Sequence, residues 1–280
     1  MKKIKVSDIT AAIKRMCMES NFELGEDVLR VIEEAVGKEE SPMGKAVLEH
    51  IKENAEIART QSMPLCQDTG VAICFADIGQ EVHIEGGSFE EAINEGVRQG
   101  YTEGYLRKSI VEHPLRRKNT GDNTPAVIYS TIVPGDSLKL SLMTKGGGGD
   151  MMSTVRMLTP ADGIEGIKSL ILDTVIKAGA NPCPPIIVGV GIGGTFELAP
   201  ILAKKSLLRK VGTPSPDPDL AALEKEMLEK INNTGIGPQG YGGKITALAV
   251  HIEARPCHIA CLPVAVNLNC HSHRHREVIL

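Results

Sequence analysis

Apolar residues recur with helical spacing through the first sixty positions of the chain. Two stripes with a period near 3.6 predict helices over 26–37 and 43–60. The stripe residues are Val28, Val31, Ile32 and Val36 in the first segment and Val47, Leu48, Ile51 and Ala55 in the second. The start of the chain, MKKIKVSDITAAIKRM, has the pattern of an amphipathic helix with Ile9, Ile13 and Met16 facing inward.

Strand-like runs dominate the remainder of the chain. They are VAICFADI, PAVIYSTIV, SLKLSLM, PIIVGVGIGG, ITALAVHIEA and LPVAVNLN. Helices are predicted from a capping box at Ser88 through Leu106, near 161–178, over 195–209, and from the loop GTPSPDPD to about Asn232. Because helices alternate with pairs of strands that resemble hairpins, we expect an α/β fold with a mixed β-sheet and surrounding helices. No linker interrupts the chain, so a single domain over 1–280 is predicted.

Charge and composition exclude several classes of function. The formal net charge is −4 and aromatic residues make up 3% of the chain, which argues against a nucleic-acid-binding face. No apolar stretch is long enough to span a bilayer, and the amino terminus lacks the apolar core of a signal peptide. Seven scattered cysteines without secretory context favour a reducing compartment, so a cytoplasmic location is expected.

Five cysteines are candidates for metal ligands. Cys66, Cys183 and Cys270 lie in turn-like settings, at intervals of 183 − 66 = 117 and 270 − 183 = 87 residues. Three such thiolates can hold an iron–sulfur cluster through three of its irons and leave the fourth open to substrate. Cys257 and Cys261 are competing ligands that spacing does not exclude, whereas Cys17 and Cys74 are expected in the core.

Two glycine-rich segments suggest bound ligands. GVGIGG satisfies the G-x-G-x-x-G pattern between a strand and a helix, but a proline-rich loop occupies the place of the expected acidic strand end. A tight strand–helix turn is therefore favoured over a nicotinamide site. TKGGGGD is not a P-loop; its glycines permit positive φ and close approach of a ligand, and Lys145 at its entrance favours a carboxylate or phosphate.

Clusters of basic residues and histidines have simpler explanations. Arg116, Arg117 and Lys118 form a charge run that is typical of a solvated face. The HSHRH tract at 271–275 is expected to be solvent-exposed rather than a zinc site. His258, between two strand-like runs, is expected by default to be a buried histidine with hydrogen-bond partners.

A set of motifs in fixed order resembles the α subunit of two-subunit class I fumarate hydratases, and L(+)-tartrate dehydratase α subunits are similar. The motifs, which span roughly residues 5–275, are MPLCQDTG, KNTGDNTP, TKGGGGD, NPCPP, NTGIGPQGYGGK, RPCHIACLP and NCHSHR. The resemblance implies an oxygen-sensitive 4Fe–4S cluster held by Cys66, Cys183 and Cys270, and a fold like the N-terminal domain of that family.

The resemblance also implies roles for other residues. Gln67, Asp68 and Arg107 match residues that bind the dicarboxylate substrate, and Gly148 matches a glycine whose backbone approaches it. Asp68 is the first candidate for the base that removes the proton, and His258 matches a histidine near the active site and is the second. Because single-chain members carry a further domain with the remaining site residues, the resemblance implies a separate β subunit in a heterotetramer or larger assembly.

The function that this implies is the reversible hydration of fumarate to (S)-malate. An α subunit of L(+)-tartrate dehydratase, which converts tartrate to oxaloacetate, is the alternative within the same class, and it differs by one hydroxyl on the substrate. GVGIGG leaves a nicotinamide-dependent oxidoreductase as a more distant alternative. A noncatalytic iron–sulfur scaffold for assembly or sensing is a third.

Overall fold

The computed structural model describes residues 2–280, in which strands and helices alternate. The helices are α1 (Val6–Phe22), α2 (Glu26–Lys38), α3 (Pro42–Gln61), α4 (Phe89–Glu103), α5 (Gly147–Met151), α6 (Gly163–Ala178), α7 (Leu198–Ser206) and α8 (Pro218–Asn232). The strands are β1 (Lys2–Lys5), β2 (Val71–Gly79), β3 (Val82–Glu85), β4 (Val127–Val133), β5 (Leu138–Lys145), β6 (Thr154–Leu158), β7 (Ile186–Gly194), β8 (Ala247–Cys257), β9 (Leu262–Asn269) and β10 (His275–Ile279).

The chain folds into two compact units, each assembled from separate segments. The first unit contains Met1–Gly25, Ala55–Gly147 and Arg274–Leu280, and the second contains Glu26–Asn54 and Gly148–His273. Both units hold a mixed sheet with helices packed on it, so the predicted α/β class is confirmed. Within residues 2–280, no helix has the length and apolar character needed to cross a membrane.

The sheet of the first unit has the strand order β10-β5-β2-β4. Strand β2 pairs in parallel with β4 and antiparallel with β5. The hairpin suggested by the adjacent runs PAVIYSTIV and SLKLSLM is therefore wrong, because β2 lies between the two strands. Helix α1 packs against α4 and the sheet, and Ile9, Ile13 and Met16 are buried as its amphipathic pattern predicts. The Ser88 side chain caps α4 by accepting the Glu91 N–H.

The sheet of the second unit has the order β6-β9-β7-β8 and carries helices on both faces. Val188 and Val190 of β7 join the large core that α6 and α8 complete. The alternate residues Gly189 and Gly191 face α7. Since side chains alternate between the faces of a strand, β7 has an apolar face toward α6 and α8 and a nearly bare face toward α7.

The glycines of GVGIGG are explained by the packing of α7. A Cβ on Gly189 would lie 2.2 Å from the carbonyl oxygen of Ala203, and one on Gly191 would lie 2.1 Å from that of Ala199. Close helix–strand packing thus requires glycine at both positions. Gly193 and Gly194 adopt positive φ at the end of β7, as expected of a tight turn before the next helix.

Candidate active site

The turn that contains Cys66, Gln67 and Asp68 lies between α3 and β2 in the first unit, and buried side chains hold its end in place. The Tyr101 hydroxyl donates to the carbonyl oxygens of Thr69 and Gly70, at 2.8 and 2.9 Å. Asn123 Nδ2 donates to the same Gly70 oxygen at 3.1 Å. Burial raises the pKa of Tyr101 well above its usual range, so the hydroxyl stays a neutral donor.

The Asp68 carboxylate is half-buried and accepts two backbone hydrogen bonds. Oδ1 accepts from Gly70 N at 3.1 Å, and Oδ2 accepts from Gly147 N at 2.7 Å. A Cβ on Gly146 would lie 3.2 Å from Oδ2, so the glycine at this position keeps the carboxylate close to the backbone. Each oxygen retains a second lone pair, which leaves Asp68 able to accept a proton.

The buried side chain of Arg274 holds this turn through hydrogen bonds. The sequence alone did not assign a role to this residue. The side chain is 1% exposed. Its Nη1 donates to the Asp68 carbonyl oxygen at 2.8 Å and to Asn21 Oδ1 at 3.0 Å. Asn21 also accepts the Leu65 N–H through its own carbonyl oxygen, at 2.8 Å. The residue before Cys66 and the residue two positions after it are therefore held by the same buried pair.

Arg107 and Gln67, both predicted to bind substrate, are exposed in this unit. The hydroxyl of Thr69 donates to the carbonyl oxygen of Arg107 at 2.7 Å, which brings the Arg107 backbone against the turn that carries Asp68. The exposed guanidinium of Arg107 is of a type suited to bidentate binding of a carboxylate. The structure thus groups Cys66, Gln67, Asp68 and Arg107 within one unit.

Cys183 and Cys270 lie at the same end of the sheet in the second unit. Cys183 precedes β7, and Cys270 directly follows β9, whose last residue Asn269 pairs with Ile187. The two loops are bonded to one another, since His271 N and Nδ1 lie 3.4 and 3.0 Å from the Cys183 carbonyl oxygen. Gly148 adjoins the first loop, and a Cβ there would lie 2.9 Å from the Asn181 carbonyl oxygen.

Cys257, His258 and Cys261 lie at the opposite end of that sheet. Cys257 pairs with Gly194 at the far end of β7, and Cys261 precedes β9. The eight steps from Ile186 to Gly194 span about 26 Å at roughly 3.3 Å per residue. This separation rules out a shared cluster between either of these cysteines and the pair Cys183 and Cys270 of the same chain. His258 is exposed, so the expectation of a buried histidine is wrong.

The other two cysteines are unsuited to bind a metal. Burial raises the pKa of the Cys74 thiol to about 12 and that of Cys17 still further, aided by the nearby Cys74. A thiolate is the form that binds iron, so neither group is available near neutral pH. Both residues belong to the core of the first unit, as predicted.

Cys66, Cys183 and Cys270 each have the local exposure that a thiolate ligand needs. Cys66 and Cys270 are half-buried, Cys183 is exposed, and all three lie in loops without disulfides. Cys183 keeps a φ of 55°, an uncommon conformation for a residue with a side chain. Among residues 2–280, no group of three or more His, Cys, Asp or Glu side chains is arranged to hold a metal ion. A cluster makes a different demand, because its ligands bind separate irons.

The structure also shows the conformation or exposure of the TKGGGGD segment, the HSHRH tract and the charge run at 116–118. Gly147 begins helix α5, and none of the glycines at 146–149 has positive φ, so the positive φ that these glycines permit is not adopted. His273 is fully buried, where it lies 2.7 Å from the Leu207 carbonyl oxygen, so the HSHRH tract is not an exposed cluster. The side chains of the charge run at 116–118 are exposed, as predicted.

Comparison with known proteins assigns the chain to a family. The family model described as "Fumarate hydratase (Fumerase)" matches residues 10–279. The chain therefore belongs to the fumarate hydratase family of hydro-lyases, which includes the α subunits of tartrate dehydratases.

Curated relatives extend over the same length. A protein of Methanocaldococcus jannaschii named "Putative L(+)-tartrate dehydratase subunit alpha" is 46% identical over 277 residues, which cover 97% of this chain and 96% of the relative. The "L(+)-tartrate dehydratase subunit alpha" of Escherichia coli K12 is 30% identical over 278 residues, with 98% and 91% coverage.

Proposed function

We propose that this chain is the α subunit of a two-subunit hydro-lyase that adds water to fumarate and removes it from (S)-malate. In this proposal Cys66, Cys183 and Cys270 hold a 4Fe–4S cluster with one open iron. The observation that carries it is the arrangement of the second unit, in which the Cys183 and Cys270 loops are bonded to one another while the competing cysteines lie about 26 Å away.

The residues of the first unit suit the binding of a dicarboxylate and the transfer of a proton. Dehydration of malate removes a proton next to a carboxylate and expels hydroxide, a poor leaving group. The cluster, when bound, supplies a Lewis acid at its open iron for the hydroxyl. Arg107 neutralises a substrate carboxylate, whose charge grows as the proton leaves, and Gln67 hydrogen-bonds to the substrate. Asp68 accepts the proton, which contributes typically about 10²–10⁴-fold to the rate.

Gly148 and His258 differ in their distance from the Cys183 and Cys270 loops. Gly148 is exposed beside the Cys183 loop, so its backbone is open to a bound acid. His258 remains the second candidate for the base, but it lies at the far end of the sheet from Cys183 and Cys270. It would therefore reach the cluster site only from another copy of the chain.

A second candidate function is the dehydration of L(+)-tartrate to oxaloacetate. The names of the two relatives favour it, since both are tartrate dehydratase α subunits by name. The two substrates differ by one hydroxyl, and a single hydrogen-bonding side chain is enough to discriminate between them. The same names support a β subunit as partner, in a heterotetramer or larger assembly. A reducing compartment such as the cytoplasm suits an oxygen-sensitive cluster.

One anaerobic experiment tests the proposal. The chain is expressed with its β subunit and the cluster is reconstituted. Fumarate absorbance is then followed with malate as substrate, and oxaloacetate is measured with L(+)-tartrate. We expect turnover of malate without added nicotinamide cofactor. Turnover of tartrate alone would select the second candidate, and no turnover of either acid by a fully loaded complex would contradict both.

A further inference from the structure

Gln239 contacts both cysteine-bearing loops of the second unit. Its backbone N–H and its side-chain Nε2 both donate to the Pro184 carbonyl oxygen, each at 2.8 Å. The same Nε2 lies 3.0 Å from His271 Nδ1. Pro184 directly follows Cys183, and His271 directly follows Cys270. One amide therefore joins the residues adjacent to two proposed cluster ligands.

The His271 ring completes this junction. Its Nδ1 lies 3.0 Å from Gln239 Nε2 and also 3.0 Å from the Cys183 carbonyl oxygen. With the ring proton on Nε2, His271 accepts the second amide hydrogen of Gln239; with the proton on Nδ1, it donates to Cys183. In either tautomer the ring stays hydrogen-bonded within the junction.

Gln239 holds this position in an unfavourable backbone conformation. Its φ is 51°, a region that residues with a side chain seldom occupy. Such a conformation persists only where the surroundings enforce it, and it is concentrated at functional sites. A glycine would adopt it without strain, and Gly237 and Gly240 on either side do so. The presence of glutamine here indicates that its side chain is needed.

The loop that carries Gln239 is itself anchored. Gly237 N donates to Thr246 Oγ1 at 3.1 Å, and Gly242 N donates to the Ile236 carbonyl oxygen at 2.9 Å. At its end, Ile245 N donates to the buried Glu39 carboxylate at 2.7 Å. Gln239 is thus presented from a fixed support rather than from a mobile loop.

We propose that Gln239 is a positioning residue that sets the separation of the Cys183 and Cys270 thiols for the cluster. This inference rests on the proposed function, since it assumes that both thiols bind the same cluster. Both cysteines lie outside regular secondary structure, so their loops need a cross-link to stay preorganised. Residues that orient metal ligands typically change metal affinity by about 10- to 100-fold when they are replaced.

Two variants separate the reach of the side chain from its effect on folding. Gln239→Asn keeps an amide and tolerates positive φ, but it is one methylene too short to reach Pro184 and His271 together. Gln239→Gly removes the side chain and relieves the backbone strain. Gln99→Asn is the matched control, because Gln99 Nε2 bonds only to Glu95 on helix α4 of the other unit, at 2.7 Å.

The measurements use the full chain expressed with its β subunit. They are the iron and sulfide content after anaerobic reconstitution, the rate of iron loss to a chelator, and the melting temperature of the cluster-free protein. We expect both Gln239 variants to lose iron about 10-fold faster than wild type. Their melting temperatures should stay within about 4 °C of the wild-type value, and Gln99→Asn should match wild type throughout.

Two outcomes would overturn the role of Gln239. The first is wild-type iron retention in both variants. The second is faster iron loss that occurs only with a fall in melting temperature of more than about 4 °C in both, since general unfolding would then explain it. A wild-type complex that takes up no cluster would instead contradict the proposed function, so the two failures are distinguishable.

Discussion

Arg274 donates a hydrogen bond from Nη1 to the carbonyl oxygen of Asp68, over 2.8 Å, although the guanidinium is almost completely buried. Asp68 follows Cys66 by two residues, and Arg274 follows Cys270 by four. Within the first unit, one buried side chain therefore fixes the chain on the carboxyl side of Cys66. Asn21 shares the same nitrogen and holds the residue before Cys66.

Replacement of Arg274 should destabilise the protein strongly. Arg274→Met keeps the length of the side chain but leaves Asn21 Oδ1 and the Asp68 carbonyl oxygen without their charged donor. We expect a loss of about 2–4 kcal/mol in the free energy of unfolding, measured by urea denaturation. Arg15→Met is the control, since the Arg15 side chain is exposed and its ion pair with Glu19 is long, with 3.7 Å between Nε and Oε1. It should change stability by less than about 0.5 kcal/mol. Equal effects of the two substitutions would refute this assignment.

Glu39 should make stability depend on pH. Burial raises the pKa of this carboxyl, but backbone hydrogen bonds from Ile245, Lys244, Ser41 and Glu40 outweigh burial and hold the pKa below its usual value. Because the folded pKa is the lower one, this stabilisation is present above the unfolded pKa of about 4.3 and is lost as the pH falls through the folded pKa.

Glu39→Gln tests this contribution. In the glutamine side chain an NH₂ group replaces one carboxylate oxygen, so a donor faces backbone N–H groups that the oxygen accepted from. We expect the free energy of unfolding to fall by about 2–4 kcal/mol at pH 7. The difference from wild type should shrink as the pH falls below about 4, in denaturation curves at several pH values. Glu40→Gln is the control, since the Glu40 side chain is 76% exposed. A difference that is the same at pH 3 and pH 7 would argue against an ionised Glu39.

Two glycine substitutions should act in opposite directions. Gly191→Ala places a Cβ 2.1 Å from the Ala199 carbonyl oxygen and should cost about 1–3 kcal/mol through overpacking. Gly37→Ala lies in α2 with no atom within 4 Å of the new Cβ, and it should gain about 0.5–1 kcal/mol. Thermal denaturation measures both.

Titration of wild type with NADH should show no binding, and saturable binding that Gly191→Ala abolishes would revive the nucleotide hypothesis.

Replacement of Asp68 should separate catalysis from cluster binding. We expect Asp68→Asn to lower turnover by about 10²–10⁴-fold while the iron content per chain stays unchanged, since the amide cannot accept the substrate proton. Asp136→Asn, on an exposed turn, should leave both unchanged. Turnover close to wild type in Asp68→Asn would assign the base to another residue, with His258 the next to be replaced.

Local patterns predicted every α-helix of the described residues except α5, and most strands, but not the pairing of the strands. The stripe of Ile9, Ile13 and Met16 was sufficient for α1, because its period depends on neighbouring residues alone. The insertion of β2 between β4 and β5 joins segments about 60 residues apart, and no local signal encodes it. The short edge strands β1, β3, β6 and β10 were missed for the same reason.

The sequence likewise predicted some residues of the candidate site and not others. The resemblance supplied the cysteines, while the sheet topology separated Cys257 and Cys261 from Cys183 and Cys270. Arg274 and Gln239 were not assigned from sequence, because their partners are backbone oxygens distant in the chain. The sequence shows that Arg274 directly follows CHSH and that Gln239 lies within NTGIGPQG. A motif alone does not show which atoms its residues contact.

The central claim is that Cys66, Cys183 and Cys270, and no other cysteines, hold the cluster. Iron and sulfide content per chain, measured after anaerobic reconstitution of single Cys→Ser variants with the β subunit, tests it most directly. We predict that the Cys66, Cys183 and Cys270 variants lose the cluster and that the Cys257 and Cys261 variants load like wild type. Loss of the cluster in Cys257→Ser or Cys261→Ser, or full loading in any of the first three, would contradict the account.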